Sequence, residues 1–207
     1  MKRIHEKSAR FAEGGSAKRN AIVMAGLQLF TQYGYRKTSI DDIAAAAQVA
    51  KRTVYLNFEN KAAVFLAILE YLADQVRQRC AAAEAADGTA IDRLTGLLDA
   101  YFGMGFELFS KSAHLPELAE AFSNLAQSNI RDLNMEYEKW LARFLRSLEK
   151  TREIGGPPQG LTVEKIVYIL VRAAEGAKHD LNVQGDQKAF QQRLRDLATL
   201  AITAMGK

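Results

Sequence analysis

Apolar residues recur three and four places apart along almost the whole chain, and that period admits little but helices. Ile22, Ala25, Leu29, Phe30 and Tyr33 form one such stripe, and Val64, Ile68, Leu72 and Val76 another. Only three prolines interrupt 207 residues, and two of them sit in "GGPPQG", the clearest loop. The remaining composition, rich in Ala, Leu, Glu, Lys, Gln and Arg, favours helix. The expectation is an all-α fold.

The helices come in two sizes. Within the first sixty residues they are short: "SAKRNAIVMAGLQLFTQYG" ends at Gly34, where helices commonly stop. "TSIDDIAAAA" begins with Ser39 and Asp42 spaced as a capping box, with Ile40, Ile43, Ala44 and Ala47 on one apolar side. Beyond residue 61 the helices lengthen. One is expected from Lys61 to about Ala85 and another over "AIDRLTGLLDAYFGMGFELFS". A long stretch from Glu117 to about Lys150 should divide near residues 123–128, and two last helices should span about 162–181 and 187–205. This suggests an arm at 1–15, a small domain at 16–61 and a larger helical domain at 62–207.

Charge follows the same division. Residues 1–61 hold 11 Lys/Arg against 5 Asp/Glu, whereas 62–207 hold 17 against 19. A basic head on a mildly acidic body suits a module that binds a polyanion, and equally a solvated face with a basic, flexible tail.

The third short helix, "AKRTVYLNF", is barely two turns long and could not stand alone in water. At 100° per residue Val54 and Phe58 share a side and should pack down. Arg52 and Leu56 point the opposite way, with Thr53 beside them and Tyr55 and Asn57 at the edges. Lys51 begins the helix, where a cation opposes the helix dipole, so an external anion would be its natural partner. In a major groove an arginine reads guanine and an apolar group meets the thymine methyl. Two helices joined by "QVAK" describe a helix-turn-helix, although any three-helix bundle with a basic face would share the periodicity.

The stretch "TSIDDIAAAAQVAKRTVYLNFENKAAVFLAIL" resembles the N-terminal signature of TetR-type transcriptional repressors. Val49, Thr53, Val54, Tyr55, Phe58 and Lys61 fall on that family's pattern, and the likeness covers about residues 16–69. It implies phosphate contacts by Ser39, Tyr55 and Lys61. It implies that Lys51, Arg52, Thr53, Leu56 and Asn57 approach base edges or the adjacent backbone of an operator in double-stranded DNA. Two positions depart from the pattern. Gln48 stands where the turn glycine is usual, so the turn is either strained or differently shaped. Leu56 and Asn57 replace an aromatic or histidine pair, so operator sequence does not transfer.

For the body, the resemblance implies an effector pocket and a homodimer through the last two helices, about 162–205. Ile166, Ile169, Leu170, Ala173, Ala174 and Ala177 line one side, and Leu194, Leu197, Ala198, Ala201 and Met205 the other. These faces would form a four-helix bundle with a second copy, or else be buried within one chain. Tyr101, Phe102, Phe106, Phe109, Phe122, Tyr137 and Trp140 are the candidate pocket residues for a small, mostly hydrophobic effector, with core packing as the alternative. Gly103 and Gly105 inside this run call for a kink, a close helix contact or a cavity wall.

Other classes are disfavoured. No phosphate loop, nucleophile elbow or paired-histidine motif is present, so neither an enzyme nor a cofactor is expected. The three histidines lie far apart, which gives no metal-ligand spacing. Cys80, the single cysteine, excludes an internal disulfide and fits a cytoplasmic protein. No stretch is long and apolar enough for a membrane span. The expected protein is a ligand-responsive regulator, with a repressor favoured. The alternative is a DNA-binding adaptor whose body takes a protein partner.

Overall fold

The computed structural model describes residues 17–110, 112–178 and 186–206, all in helices and connecting loops with no strand among them. The expected arm at 1–15 and the end of the helix expected to reach 181 lie outside the described residues. The helices are α1 (Ala17–Tyr33), α2 (Ile40–Ala46), α3 (Lys51–Asn57), α4 (Lys61–Ala85), α5 (Ala90–Leu98), α6 (Met104–Phe109), α7 (Leu115–Lys150), α8 (Val163–Ala177) and α9 (Gln187–Met205). A π-helical segment, Asp99–Gly103, joins α5 to α6. No described helix is long and apolar enough to cross a membrane.

The chain forms two compact units, one from residues up to Gln75 with Ser112–Ile130, the other from Val76–Lys111 with Arg131 onward. The boundary between these units falls inside α4 and inside α7.

In the first unit, Ile22 and Phe30 of α1, Ile43 of α2, Val54 of α3, Phe58 and the start of α4 (Val64, Phe65) form one core. Rings organise it: Phe65 lies 5.9 Å from Phe30, 5.3 Å from Tyr35 and 5.1 Å from Phe122. Tyr33, expected in the stripe, is instead 49% exposed, and Val23 is buried. Gly34 closes α1 with φ of +87°, a conformation that a side chain would strain, and its N–H reaches the Phe30 carbonyl at 3.0 Å.

In the second unit, α9 packs against α5 and α8. Leu94, Leu97 and Leu98 meet a core that includes Leu141, Leu145, Val167, Leu170, Phe190 and Leu194. Thr89 and Asp92 form a capping box at the start of α5. The expected division of the long helix occurs at Ala126, where φ/ψ of −137°/16° breaks the helical geometry of α7. The two glycines of the aromatic run sit in and beside the π turn, and a Cβ on Gly103 would lie 1.9 Å from an Asp99 carboxylate oxygen. A widened turn thus stands where a kink, a close helix contact or a cavity wall was expected.

Of the two alternatives for the apolar stripes of the last two helices, burial within one chain holds for most of the residues named. Ile166, Leu170, Ala174, Leu194, Ala198, Ala201 and Met205 are buried within the chain, because their stripe is the one that packs inward. Of the other residues named on these faces, Ala173, Ala177 and Leu197 are half-buried and Ile169 is 55% exposed, alongside Tyr168 at 60% and Leu200 at 68%.

Candidate nucleic-acid interface

α3 has seven residues, so its own hydrogen bonds cannot hold it folded. Tertiary contacts do. Val54 is 0% exposed and Phe58 4% exposed, both in the core of the first unit. Arg19 of α1 closes the other end: its Nη1 donates to the Asn57 carbonyl at 3.2 Å, and its guanidinium lies 4.3 Å from the centre of the Phe58 ring. That carbonyl belongs to the last turn, where a helix lacks internal donors and favours a cation.

The turn before α3 follows the strained alternative. Gln48 adopts φ of +55°, the left-handed region that costs a non-glycine residue about 1 kcal/mol. The reward is closure of α2: the Gln48 N–H donates to the Ala45 carbonyl at 3.1 Å and the Val49 N–H to the Ala44 carbonyl at 3.0 Å.

On the outer side of α3, Arg52 is exposed, Tyr55 is 51% exposed and Leu56 is 75% exposed. Arg52 and Leu56 are four residues apart and so share a face. Thr53 is half-buried beside them. The remaining candidates have partners inside the head. The Asn57 side-chain amide folds back to donate to the Thr53 carbonyl at 2.8 Å. Lys51 meets the Asp41 carboxylate at 2.9 Å, and that hydrogen bond and charge raise its pKa. The cation whose natural partner was expected outside thus has one within the chain, though both side chains are more than half exposed. An ion pair exposed to that degree is screened and weak, and a phosphate competes for it directly.

Ser39 caps α2 as the spacing indicates. Its Oγ accepts from the Asp42 N–H at 3.1 Å and donates to the Asp42 carboxylate at 2.6 Å, which lowers the Asp42 pKa. The hydroxyl hydrogen is therefore engaged.

Lys61 departs furthest from its expected place at a phosphate. Its Nζ donates to the carbonyls of Tyr35 at 2.7 Å, Thr38 at 2.8 Å and Arg36 at 3.3 Å, and lies 4.5 Å from the Tyr35 ring centre. Three acceptors use the three hydrogens of an ammonium. Burial lowers its pKa, as for any cation withdrawn from water. Lys61 thus ties down the loop between α1 and α2.

That loop is also gripped from α7. Glu117 accepts from the Arg36 N–H, and Arg36 pairs with Glu120 at 2.5 Å. With Tyr35, Ala121, Asn124 and Leu125, these residues border a cleft of about 160 Å³. This is smaller than the roughly 300 Å³ at which pockets for drug-sized ligands begin. Neither Arg19 nor Glu117 stood out in the sequence, because their partners lie 38 and 81 positions away.

The candidate pocket residues are distributed over both units. Tyr101 and Tyr137 stack at 4.4 Å, with Phe102 edge-on at 5.0 and 5.9 Å. The Tyr137 hydroxyl donates to the Leu97 carbonyl at 2.9 Å, and Tyr101 bonds to Asn134. Burial pushes the Tyr101 phenol up to about 12 and holds the Tyr137 phenol well above the ordinary tyrosine value. Phe106 stacks on Phe190 at 4.3 Å, while the Trp140 indole N–H donates to Glu84 at 2.6 Å. Phe109 is half-buried at the end of α6. Phe122 packs on Phe65 in the first unit. Cys80 is buried, and desolvation, followed by Glu84 and Glu136, pushes its thiol up to about 12. It is a protonated, inert core residue at neutral pH.

Comparison with known proteins places this geometry. Residues 22–68 match the model of the bacterial regulatory proteins, tetR family. The HTH-type transcriptional repressor DhaR of Mycobacterium sp. (strain GP1) is 24% identical over 181 residues, 85% of this chain and 88% of that protein. A putative TetR-family transcriptional regulator from Rhodococcus sp. superposes with a TM-score of 0.69 at 20% identity, covering 90% of this chain and 100% of the other. The regulator FadR from Bacillus subtilis, solved in complex with stearoyl-CoA, gives a TM-score of 0.63 at 18% identity, covering 89% and 97%.

Proposed function

The chain belongs to the TetR family of bacterial regulatory proteins, and we propose that it is a repressor whose α3 enters the major groove of a palindromic operator and is released by a small, mostly hydrophobic effector. One observation carries this reading. α3 is fixed from behind by Val54 and Phe58 while Arg52, Tyr55 and Leu56 face outward. A cation, a phenol and a leucine displayed together on a braced helix fit the guanine edges, phosphates and thymine methyls of a duplex groove.

Repression follows from occupancy of a promoter by a dimer, whose two heads call for two half-sites related by a two-fold axis. The outward residues of α8 and α9, Tyr168, Ile169 and Leu200, are the apolar groups we assign to the partner copy. For the effector, support comes from the aromatic cluster that Tyr101 and Phe102, within a π-helical turn, form with Tyr137, such turns being frequent at functional sites. Support also comes from the likeness in fold to a regulator solved with an acyl-CoA. Such a ligand lowers operator affinity only as far as it prefers the conformation that does not bind DNA.

The decisive experiment is a mobility-shift titration with a duplex selected by the protein from a random library. Arg52→Ala weakens binding by about 1–3 kcal/mol and relaxes sequence preference. Equal affinity of the native protein for selected and random DNA would refute the proposal. Trp140 fluorescence, titrated with apolar compounds and repeated on the bound complex, tests release.

A further inference from the structure

On the reading of α3 as the groove-entering helix, we infer that Leu56 is a specificity-determining residue that reads the 5-methyl group of a thymine in the same half-site as a guanine read by Arg52. The inference rests on that reading and sharpens it.

The outer face of α3 offers fewer readers than its sequence suggests. Asn57 is folded back on the Thr53 carbonyl, Lys51 is paired with Asp41, and Lys61 is turned to three loop carbonyls. Arg52 and Leu56 remain side by side, one turn apart, and Leu56 is 75% exposed, the highest value for a large hydrophobic side chain among the described residues. A leucine gains nothing from water. Among the groups that base pairs present in the major groove, the thymine methyl is the apolar one, while guanine O6 and N7 accept from a guanidinium. Contact with the methyl removes apolar area from water on both partners. The pairing therefore suits this leucine and this arginine together, and it leaves cytosine, which lacks the methyl, disfavoured.

Spacing adds a second constraint. Four residues span about 6 Å of helix, and base pairs rise about 3.4 Å. With α3 lying along the groove, the thymine falls about two base pairs from the guanine in each half-site.

The test uses the full-length protein and the duplex it selects from a random library. Each thymidine is replaced in turn by deoxyuridine, which removes the methyl and leaves every hydrogen-bonding group. The expected result is one position in each half-site at which deoxyuridine weakens native binding about fourfold, the equivalent of one buried carbon. Leu56→Ala shows no loss there, and Leu56→Met, which keeps an apolar tip, retains it. The inference is overturned if the native protein tolerates deoxyuridine everywhere, or if Leu56→Ala suffers the same loss. Selection of no sequence at all would overturn the DNA-binding reading, and this inference with it.

Discussion

Replacing Lys61 with methionine keeps the stem and removes the ammonium, which separates a loop anchor from a phosphate contact. Its two short hydrogen bonds, to Tyr35 at 2.7 Å and Thr38 at 2.8 Å, end on part-buried carbonyls that recover some water when the donor is lost. Each bond then counts for about 1 kcal/mol, below the 1.5–3 kcal/mol of a bond to a charged group. The cation over the Tyr35 ring adds roughly 0.5 kcal/mol. Lys61→Met should therefore destabilise the protein by about 2.5 kcal/mol, a fall in melting temperature of roughly 5–10 °C for a chain of this size. Differential scanning calorimetry measures the fall. A mobility-shift series from low to high salt measures the charge engaged by DNA. An anchor leaves the slope of log affinity against log salt unchanged at temperatures where the variant is folded. A phosphate contact would reduce that slope by about 0.9 and barely alter melting. A variant that melts like the native protein and has the smaller slope would refute the anchoring role.

Other perturbations follow from individual contacts. Gln48→Val places a β-branched residue at φ of +55° and should cost about 1–2 kcal/mol, whereas Gln48→Gly relieves the turn and leaves stability equal or higher; urea denaturation compares the two. Tyr137→Phe removes the donor to the buried Leu97 carbonyl and should lower the urea midpoint by the equivalent of about 1 kcal/mol. The Asp92 carboxyl is held at about 2, first by the Thr89 hydroxyl and N–H and then by Arg195. A depressed carboxylate contributes stability that is complete above its unfolded value of about 4 and disappears as pH falls through about 2. Asp92→Asn should flatten the dependence of melting temperature on pH across that window.

Much of this architecture can be read from local pattern. Gly34, the Ser39–Asp42 box and the inward Val54 and Phe58 depend on residues within a few positions of one another, and the structure places them as the spacing indicates. The roles of Lys51 and Lys61 were not legible in that way. A lysine on a short basic helix has the same local sequence whether its partner is a phosphate, Asp41 or the Tyr35 carbonyl, and tertiary packing decides among them. The two alternatives for the last two helices stayed open for a related reason. Each has apolar residues on more than one side, so periodicity finds a stripe but does not say which side meets α5 and which is left open. The π turn was invisible because two glycines mark an irregularity without specifying which hydrogen bond slips.

That irregularity localises where the chain tolerates a change in length. Every residue advances an α-helix by about 100°, so deleting one from α5 or α6 would swing all later side chains off their core positions. The widened turn at Asp99–Gly103 already contains a surplus residue over the rise it spans. Excising a single residue there would let the turn tighten to ordinary winding while Leu94, Leu97 and Leu98 before it and Met104 and Phe106 after it stay in phase.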